Sequence, residues 1–360
     1  MTSAPPSTTA DKDTLFRRIV VTLCALAVFR IGQWIPLPGL DLAALGHSQE
    51  LLAVGSPRAM TSIMALGIAP LLTALILAES AMCASMRLRR WAATPAGHAR
   101  LWRAAIVGAL VLASLQAYGV ASSLATIPGL VVAPGWQFYA GTVTSFLGAT
   151  LIVVLLASWI TTHGIAPGIW VLFGAIQAEA FIQPLLAQLP LLAMGALSPE
   201  NFLGNVALRF AVLAAATAVL ATLVKARPPL SDAPELIWTP LVAGLVVSLS
   251  VGALLILQRL LFPAGSLDIT AQFAADIYLP LLAIAVAVVL LARRKSFLAP
   301  GQRLDVVAAV PIIAALVLFC GLALALPYAR SACLLAAAGL LIAEAIRPAA
   351  RPAGPPLARE

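Results

Sequence analysis

The chain has 360 residues, of which 62% are hydrophobic and 10% are charged, with a formal net charge of +8. Soluble domains carry roughly 25% charged residues, so this composition excludes a water-soluble fold and makes lipid the solvent for most of the surface. The apolar runs are long, continuous and rich in Ala and Leu, which excludes a β-barrel built from alternating segments of roughly 10 residues.

Ten apolar runs follow one another along the chain. A membrane-spanning helix needs about 20 mostly apolar residues. We therefore predict an all-α polytopic membrane protein. The predicted transmembrane helices, in chain order, are 15–35, 62–84, 101–123, 142–162, 166–187, 203–224, 238–260, 276–293, 304–326 and 329–346.

The positions of Lys and Arg predict the direction of these helices. With the N-terminus in the cytoplasm, 17 of the 22 basic residues fall in cytoplasmic segments. The five near the far side are Arg30, Arg58, Arg209, Arg259 and Arg330. This asymmetry follows the positive-inside rule and predicts that both termini are cytoplasmic.

The loops are too short to hold a soluble domain, so the chain divides into membrane halves and tails. We expect a cytoplasmic tail over 1–14, a first five-helix half over 15–187, a second over 203–346, and a disordered Pro- and Ala-rich tail over 347–360. Two five-helix halves are what an inverted-repeat architecture requires.

No catalytic or metal-binding pattern is present in the sequence. It has no G-x-S-x-G, H-E-x-x-H or P-loop motif, and its three histidines are scattered. We therefore expect no enzyme activity, no cofactor and no metal. Apart from Asp276 and Asp305 at the starts of their helices, the acidic residues inside predicted helices are Glu79, Glu179 and Glu344. A proton-coupled transporter usually keeps charges near the bilayer middle.

Two stretches of the first half stand out from generic apolar sequence. In residues 29–41, a helix with Arg30 near its outer end stops at prolines and a glycine, and Arg30 either snorkels to the interface or pairs inside the bundle. In residues 62–74, Gly67 and Pro70 break a spanning run. Ile68, Leu72 and Ile76 share one helical face there, which taken alone is a lipid-facing or core face.

A third stretch, residues 159–169, joins two predicted helices through a tight turn rich in Gly and Pro. The turn lies on the cytoplasmic side in the predicted topology. We expect its histidine, His163, to be a solvated loop residue rather than a catalytic one.

Together these stretches resemble the SecY family, the channel subunit of the Sec protein translocase. The family's first helix typically reads Y-R-x-G-x-x-I-P-x-P-G-I-D, similar to residues 29–41, and its second reads F-S-I-F-A-L-G-I-M-P-Y-I-T-A-S, similar to 61–75. Its turn between helices 4 and 5 reads I-T-E-R-G-I-G-N-G-I-S, which residues 160–170 follow in part. The resemblance is strong over 15–180 and weaker afterwards.

The resemblance implies an hourglass channel whose two halves surround a pore with a ring of apolar side chains at its waist. The implied ring residues are Ile68, Leu72, Ile169, Phe173 and Leu249. The implied plug lies at about 43–60, centred on Leu51, Leu52, Ala53, Val54, Gly55 and Ser56. A lateral gate between helices 2–3 and 7–8 would carry the polar residues Thr73 and Gln116.

The resemblance also implies partners and a location. It implies a translocating polypeptide or signal sequence, small membrane subunits like SecE and SecG, membrane lipid, no nucleic acid, and the bacterial inner membrane. The family's long basic cytoplasmic loops are reduced here to about 225–235 and 293–305. These short segments count against docking of a SecA motor or a ribosome.

Three functions remain open on the sequence. The first is a SecY-like channel that moves or inserts polypeptides. The second is a SecY-like scaffold or assembly subunit that does not translocate. The third is a small-solute transporter, against which the lack of charge in the middle of the predicted helices argues.

Overall fold

The computed structural model describes residues 8–41, 61–127, 129–225, 239, 241–248, 282, 284–291, 312–314, 316–317 and 329–346. Most of these residues are helical. The helices are α1 (Thr8–Gly32), α2 (Ala69–Ala84), α3 (Met86–Ala92), α4 (Pro95–Ala125), α5 (Trp136–His163), α6 (Gly168–Leu186), α7 (Leu189–Ala193), α8 (Pro199–Lys225) and α9 (Ala329–Ile346). Residues 241–248 and 284–291 are also helical.

Several of these helices can cross a membrane, so the chain is a multi-pass membrane protein. Within the described ranges, four are long and apolar enough, at Pro95–Ala125, Trp136–His163, Gly168–Ala193 and Pro199–Thr222. α1 is long enough but less apolar, because any 18 consecutive residues of it include at least three charged side chains. α2 and the apolar part of α9 are shorter. The spans predicted at 238–260, 276–293 and 304–326 lie mostly outside the described residues.

The start of α2 differs from the predicted span, which begins at residue 62. The helix begins at Ala69, with a proline in its first turn and Ile68 as its N-cap residue. Proline lacks the N–H that an interior helical position would donate, and it fits the first turn, where that donor has no partner. Gly67 has φ +51°, so the backbone reverses just before the helix. The break predicted from Gly67 and Pro70 is confirmed, and it sits at the helix start.

α4 begins earlier than its apolar run, which starts at residue 101. Thr94 caps it, because its hydroxyl accepts a hydrogen bond from the Gly97 amide at 3.1 Å, and Pro95 occupies the first turn. This N-cap and proline pair is a strong helix start in any solvent. The helix therefore extends beyond its apolar run into the polar segment before it.

α4 packs on α2 and α5 along a stripe of small side chains. Its alanines at every fourth position are buried, namely Ala105, Ala109, Ala113, Ala117 and Ala121. Small residues let helix backbones approach closely. In lipid the hydrophobic effect does not drive helices together, so this close van der Waals packing stabilises their association. The opposite face, including Val107 and Leu115, is exposed as lipid-facing surface would be.

The main apolar core joins the two ends of the chain. α6 packs on α5 and α9, α9 packs on α8, and α1 packs on α5. One contiguous buried cluster contains Phe29 of α1, Leu71 of α2, Leu172 of α6 and Ala337 of α9, together with residues of the 241–248 and 284–291 segments. This cluster is the setting of the candidate site.

Candidate functional site

The turn between α5 and α6 is fixed by two threonine hydroxyls. Thr22 of α1 accepts a hydrogen bond from the Ile165 amide at 3.2 Å and donates to the Arg18 carbonyl at 2.9 Å. Thr161 accepts from the Gly168 amide at 2.8 Å, which satisfies a free donor at the start of α6. The first turn of α6 is therefore held against both α1 and α5.

Glycine is required at the first residue of α6. A Cβ on Gly168 would overlap the backbone carbonyl of Ala157 in α5. A Cβ on Gly164 would lie 2.6 Å from the Ile160 carbonyl oxygen and 2.7 Å from the Thr22 hydroxyl. The Gly/Pro turn predicted from the sequence is thus a close crossing of two helices. His163, the last residue of α5, is exposed, as expected.

Two of the expected ring residues lie in the first turns of α6. Phe173 is buried, and Trp170 contacts its ring edge-on with centroids 6.2 Å apart. Ile169 is half-buried and packs against the main core cluster. Both positions follow directly from the fixed start of α6.

Two more expected ring residues lie at the start of α2. Ile68 is 2% exposed and Leu72, one turn later, is 9% exposed. Both belong to the same core cluster as Phe173. A Cβ on Gly67 would lie 3.2 Å from Ile176 Cδ1, so the start of α2 lies against α6. The structure thus brings the four described ring candidates into one apolar cluster, while Leu249 lies outside the described residues.

The two gate residues lie apart from each other. Thr73 of α2 and Gln116 of α4 are both half-buried. A Cβ on Gly108 would lie 3.7 Å from the Ala74 Cβ, so Thr73 lies near the level of Gly108. Gln116 is eight residues further along α4, roughly 12 Å at the helical rise. Its Oε1 is buried and has no hydrogen-bond partner within the described part of the chain.

The plug candidates, residues 51–56, lie outside the described residues, which stop at Asp41 and resume at Thr61. The Leu37 amide donates to the Thr61 carbonyl at 2.8 Å, and the Ile63 amide donates to Ile35 at 2.9 Å. The Asp41 amide donates to the Leu130 carbonyl at 2.9 Å. These bonds hold residues 35–41 and 61–63 together at the end of α1.

Sequence reasoning left the role of Arg30 open, and the structure pairs it. Its guanidinium forms an ion pair with Glu179 of α6 and donates to Gln33 Oε1 at 2.7 Å. The guanidinium also lies 6.0 Å from the centroid of the Trp34 ring. The rule that charges inside a membrane find partners predicts such a pair, although the sequence does not identify Glu179 as the partner.

Arg209 is a functional candidate that the sequence analysis missed. Counted there with the far-side cations, it is 7% exposed and lies ten residues into α8. Its Nε donates to Asn205 Oδ1 at 3.2 Å and its Nη1 donates to the Phe181 carbonyl at 3.5 Å. Asn205 in turn donates to Gln188 Oε1 at 3.0 Å. The sequence signal that could have identified it is its position ten residues inside an apolar helix.

A second ion pair lies at the other end of the bundle. Arg89 of α3 contacts Glu79 of α2 at 3.3 Å, and both side chains are 15% exposed. Among the described residues, no group of three His, Cys, Asp or Glu side chains is placed to hold a metal ion.

Comparison with known proteins gives a consistent relationship. Residues 62–233 match the sequence model of the SecY family. The chain is 33% identical over 175 residues to protein translocase subunit SecY of Escherichia coli (strain K12), which covers 45% of this chain and 40% of that protein. It is 32% identical over 185 residues to the same subunit of Haemophilus influenzae, covering 48% and 42%.

Just under half of this chain is therefore similar in sequence to the SecY family. The matched region holds the starts of α2 and α6, where the four described ring candidates of the SecY resemblance lie. In sequence, the chain spans about 40% of the length of the curated SecY relatives it matches.

Solved structures extend the relationship to the fold of the whole chain. Sec61 in a canine ribosome–channel complex from the endoplasmic reticulum aligns with a TM-score of 0.57 and 13% identity, over 96% of this chain and 94% of that one. A structure described as a protein-conducting channel aligns with a TM-score of 0.56 over the same shares. The fold is therefore that of the SecY and Sec61 channels.

Proposed function

We propose that this chain is the channel subunit of a protein translocase and conducts or inserts polypeptides. The observation that carries the proposal is the SecY-family match over residues 62–233. That stretch contains Ile68 and Leu72 at the start of α2, and Ile169 and Phe173 at the start of α6. Both pairs have the i, i+4 spacing that presents two side chains on one helical face.

These four residues, with Leu249 as a fifth, are proposed to form the seal of a closed pore. A narrow apolar constriction excludes water, so ions do not cross it. Burial of Ile68, Leu72 and Phe173 in one cluster supports a closed arrangement. An unfolded chain would pass by displacing these side chains, which are apolar and hold no side-chain hydrogen bonds that must break.

The plug and the lateral gate are proposed around this seal. The plug is assigned to about 43–60, centred on 51–56. The hydrogen bonds of Leu37 and Asp41 support this assignment, because they fix the residues that flank the segment near the end of α1. The gate is assigned to Thr73 and Gln116. This assignment is supported by Gln116 Oε1, a buried acceptor that has no hydrogen-bond partner among the described residues and that a moving segment would reach.

The proposed architecture has ten transmembrane helices in two halves, 15–187 and 203–346, with both termini in the cytoplasm of a bacterial cell. The tails 1–14 and 347–360 would lie in the cytoplasm. The proposed partners are a translocating polypeptide or signal sequence, and small membrane subunits like SecE and SecG. The short segments 225–235 and 293–305 count against SecA and ribosome docking.

Photo-crosslinking to a stalled nascent chain tests the channel function. A crosslinking amino acid is placed at Ile68 or Ile169, with Leu155 as the matched control because it is apolar and 67% exposed on the outer face of α5. We expect adducts from the first two positions and none from the third. Equal crosslinking from all three positions, or from none, contradicts the pore.

A scaffold function is the second candidate, and the reduced cytoplasmic segments favour it. It predicts co-purification with membrane proteins but no nascent-chain adduct at Ile68 or Ile169. A small-solute transporter is the third candidate. The argument from missing midplane charge is weaker than the sequence suggests, because Arg209 is buried well inside α8. A solute-uptake assay in proteoliposomes separates it from the other two.

A further inference from the structure

A pocket of about 320 Å³ lies between α1 and α6, and Phe29, a member of the main core cluster, is among its lining residues. Each helix contributes one face at i, i+3, i+4 and i+7 spacing. The lining residues are Leu26, Phe29 and Arg30 of α1, Gln33 just after it, and Ala175, Glu179, Ile182, Gln183 and Leu186 of α6. Both faces belong to the C-terminal parts of their helices, toward the same side of the bundle.

The pocket is amphipathic. Arg30 and Glu179 form an ion pair within it, and the amides of Gln33 and Gln183 add donors and acceptors. Its other lining residues are apolar, and one of them, Ile182, is 46% exposed on the outer surface of α6. A polar end joined to an apolar surface open to the bilayer fits a molecule with a polar head and an apolar tail.

The charges of the pocket select among such molecules. Arg30 and Glu179 cancel, so an anion or a cation would leave the pocket with a net charge. A zwitterion adds none, because its phosphate can meet the guanidinium while its ammonium meets the carboxylate. A primary ammonium has three N–H donors for Glu179 and the glutamine oxygens, whereas a trimethylammonium has none.

The pocket is large enough for a lipid headgroup. A water needs roughly 10–15 Å³ of such space, so the pocket has room for more than the roughly eight non-hydrogen atoms of a phosphoethanolamine group. Arg30, the partner of Glu179, lies two residues before the end of α1, so a lipid headgroup at that helix end can reach the ion pair.

We propose that this pocket binds one zwitterionic phospholipid with an ethanolamine headgroup, its phosphate on Arg30 and its ammonium on Glu179. Ile182 and the apolar lining contact the start of its acyl chains. The site does not depend on the proposed channel function, so either can fail without the other.

The test uses the full-length protein, purified in detergent and stripped of lipid. Phosphatidylethanolamine, phosphatidylcholine, phosphatidylglycerol and free phosphoethanolamine are added separately. Native mass spectrometry counts bound molecules, and the apparent melting temperature reports stabilisation. We expect one phosphatidylethanolamine per chain, a raised melting temperature, and weaker or no effect from the other three probes. Binding of free phosphoethanolamine alone would replace the lipid by a soluble ligand and overturn the proposal.

The variant R30Q/E179Q keeps the net charge and removes both recognition groups. Its matched control is E79Q/R89Q, which removes the second ion pair at the other end of the bundle. We expect about tenfold to a hundredfold weaker phosphatidylethanolamine binding in the first variant, as loss of a charge-assisted hydrogen bond predicts, and unchanged binding in the control. Equal binding by both variants overturns the proposal.

A milder variant covers the case in which R30Q/E179Q does not fold. Gln183→Met keeps the ion pair and the side-chain volume while removing a polar pocket group, and we expect it to weaken phosphatidylethanolamine binding severalfold. Unchanged binding in this variant also counts against the site. Displacement of the lipid by a co-purifying small membrane protein in the native complex would assign the surface to that partner instead.

Discussion

The backbone of Gly168 lies directly against the carbonyl oxygen of Ala157, leaving no space for a Cβ at the first residue of α6. The same residue donates its amide to Thr161. This contact sets the distance between α5 and α6, and with it the position of Ile169 and Phe173.

Gly168→Ala is therefore expected to destabilise the protein by about 1–3 kcal/mol, the usual cost of overpacking. The control is Gly148→Ala in α5, where the space around an added Cβ is open. That change should be neutral or stabilising by up to about 1 kcal/mol, since alanine is the better helix former. Thermal unfolding in detergent, followed by circular dichroism, measures both. Equal melting temperatures for the two variants would refute the tight crossing.

Thr22→Val removes the hydroxyl that joins α1 to the turn after α5. The Ile165 amide then loses its acceptor, which costs about 1–3 kcal/mol for a buried donor. Thr144→Val is the control, because the Thr144 hydroxyl is exposed and bonds only to carbonyls of its own helix. The control should stay within about 0.5 kcal/mol of the parent. Chemical unfolding of both variants gives the comparison, and a similar loss in each would argue against the link.

A double-mutant cycle on Arg30 and Glu179 should show coupling. Each single change to Gln leaves the other, partly exposed charge without its ion-pair partner, whereas the double change removes both charges. We expect an interaction energy of roughly 0.5–3 kcal/mol, the range found for residues in contact. Additive effects of the two single changes on unfolding would mean that the pair contributes nothing.

Arg209→Met should destabilise more than Arg103→Met. The first change removes the hydrogen bonds of a buried guanidinium to Asn205 and to the Phe181 carbonyl, at about 1.5–3 kcal/mol for a bond to a charged group. Arg103 is exposed near the start of α4, so its replacement should be close to neutral. Melting temperatures measured side by side decide this, and a reversed order would contradict the buried network.

The proposed seal predicts an ion leak. Ile68→Ser, combined with Leu72→Ser, places hydroxyls at the constriction and should raise conductance in planar bilayers severalfold, because a polar constriction stays wet. Leu77→Ser is the control on the same helix, at a position that is 40% exposed on the outer surface. If the double variant leaks no more than the control at matched insertion, these residues belong to an ordinary core.

Hydropathy predicted some helix bounds closely and others poorly, for identifiable reasons. The run 329–346 coincides with α9, and prolines at 327 and 348 stand just outside it, where they would stop a helix. The run 62–84 overshoots α2, because residues 62–68 are apolar but form turns before Pro70. Hydrophobicity reports the solvent of a residue, whereas the helix start depends on backbone donors and φ angles.

The candidate ring was predictable because its residues lie within motifs, whereas the charge pairs were not. Arg30 and Glu179 are 149 residues apart, and no periodicity relates α1 to α6. Only the packing of α1 and α6 on α5 brings them together. Counting Lys and Arg on each side of the membrane treats every cation near a helix end alike. Such a count therefore does not show that Arg209 is buried.

The hydrogen bonds of Leu37 and Asp41 have a consequence for variation in this protein. They fasten the chain on either side of residues 42–60 to the surrounding scaffold, independently of what lies between. The entropy of closing a loop between two fixed points rises slowly, by about 0.6 kcal/mol for each doubling of its length. We therefore expect the hydrogen bonds of Leu37 and Asp41 to hold the surrounding helices in place when the number of residues between Asp41 and Thr61 is changed.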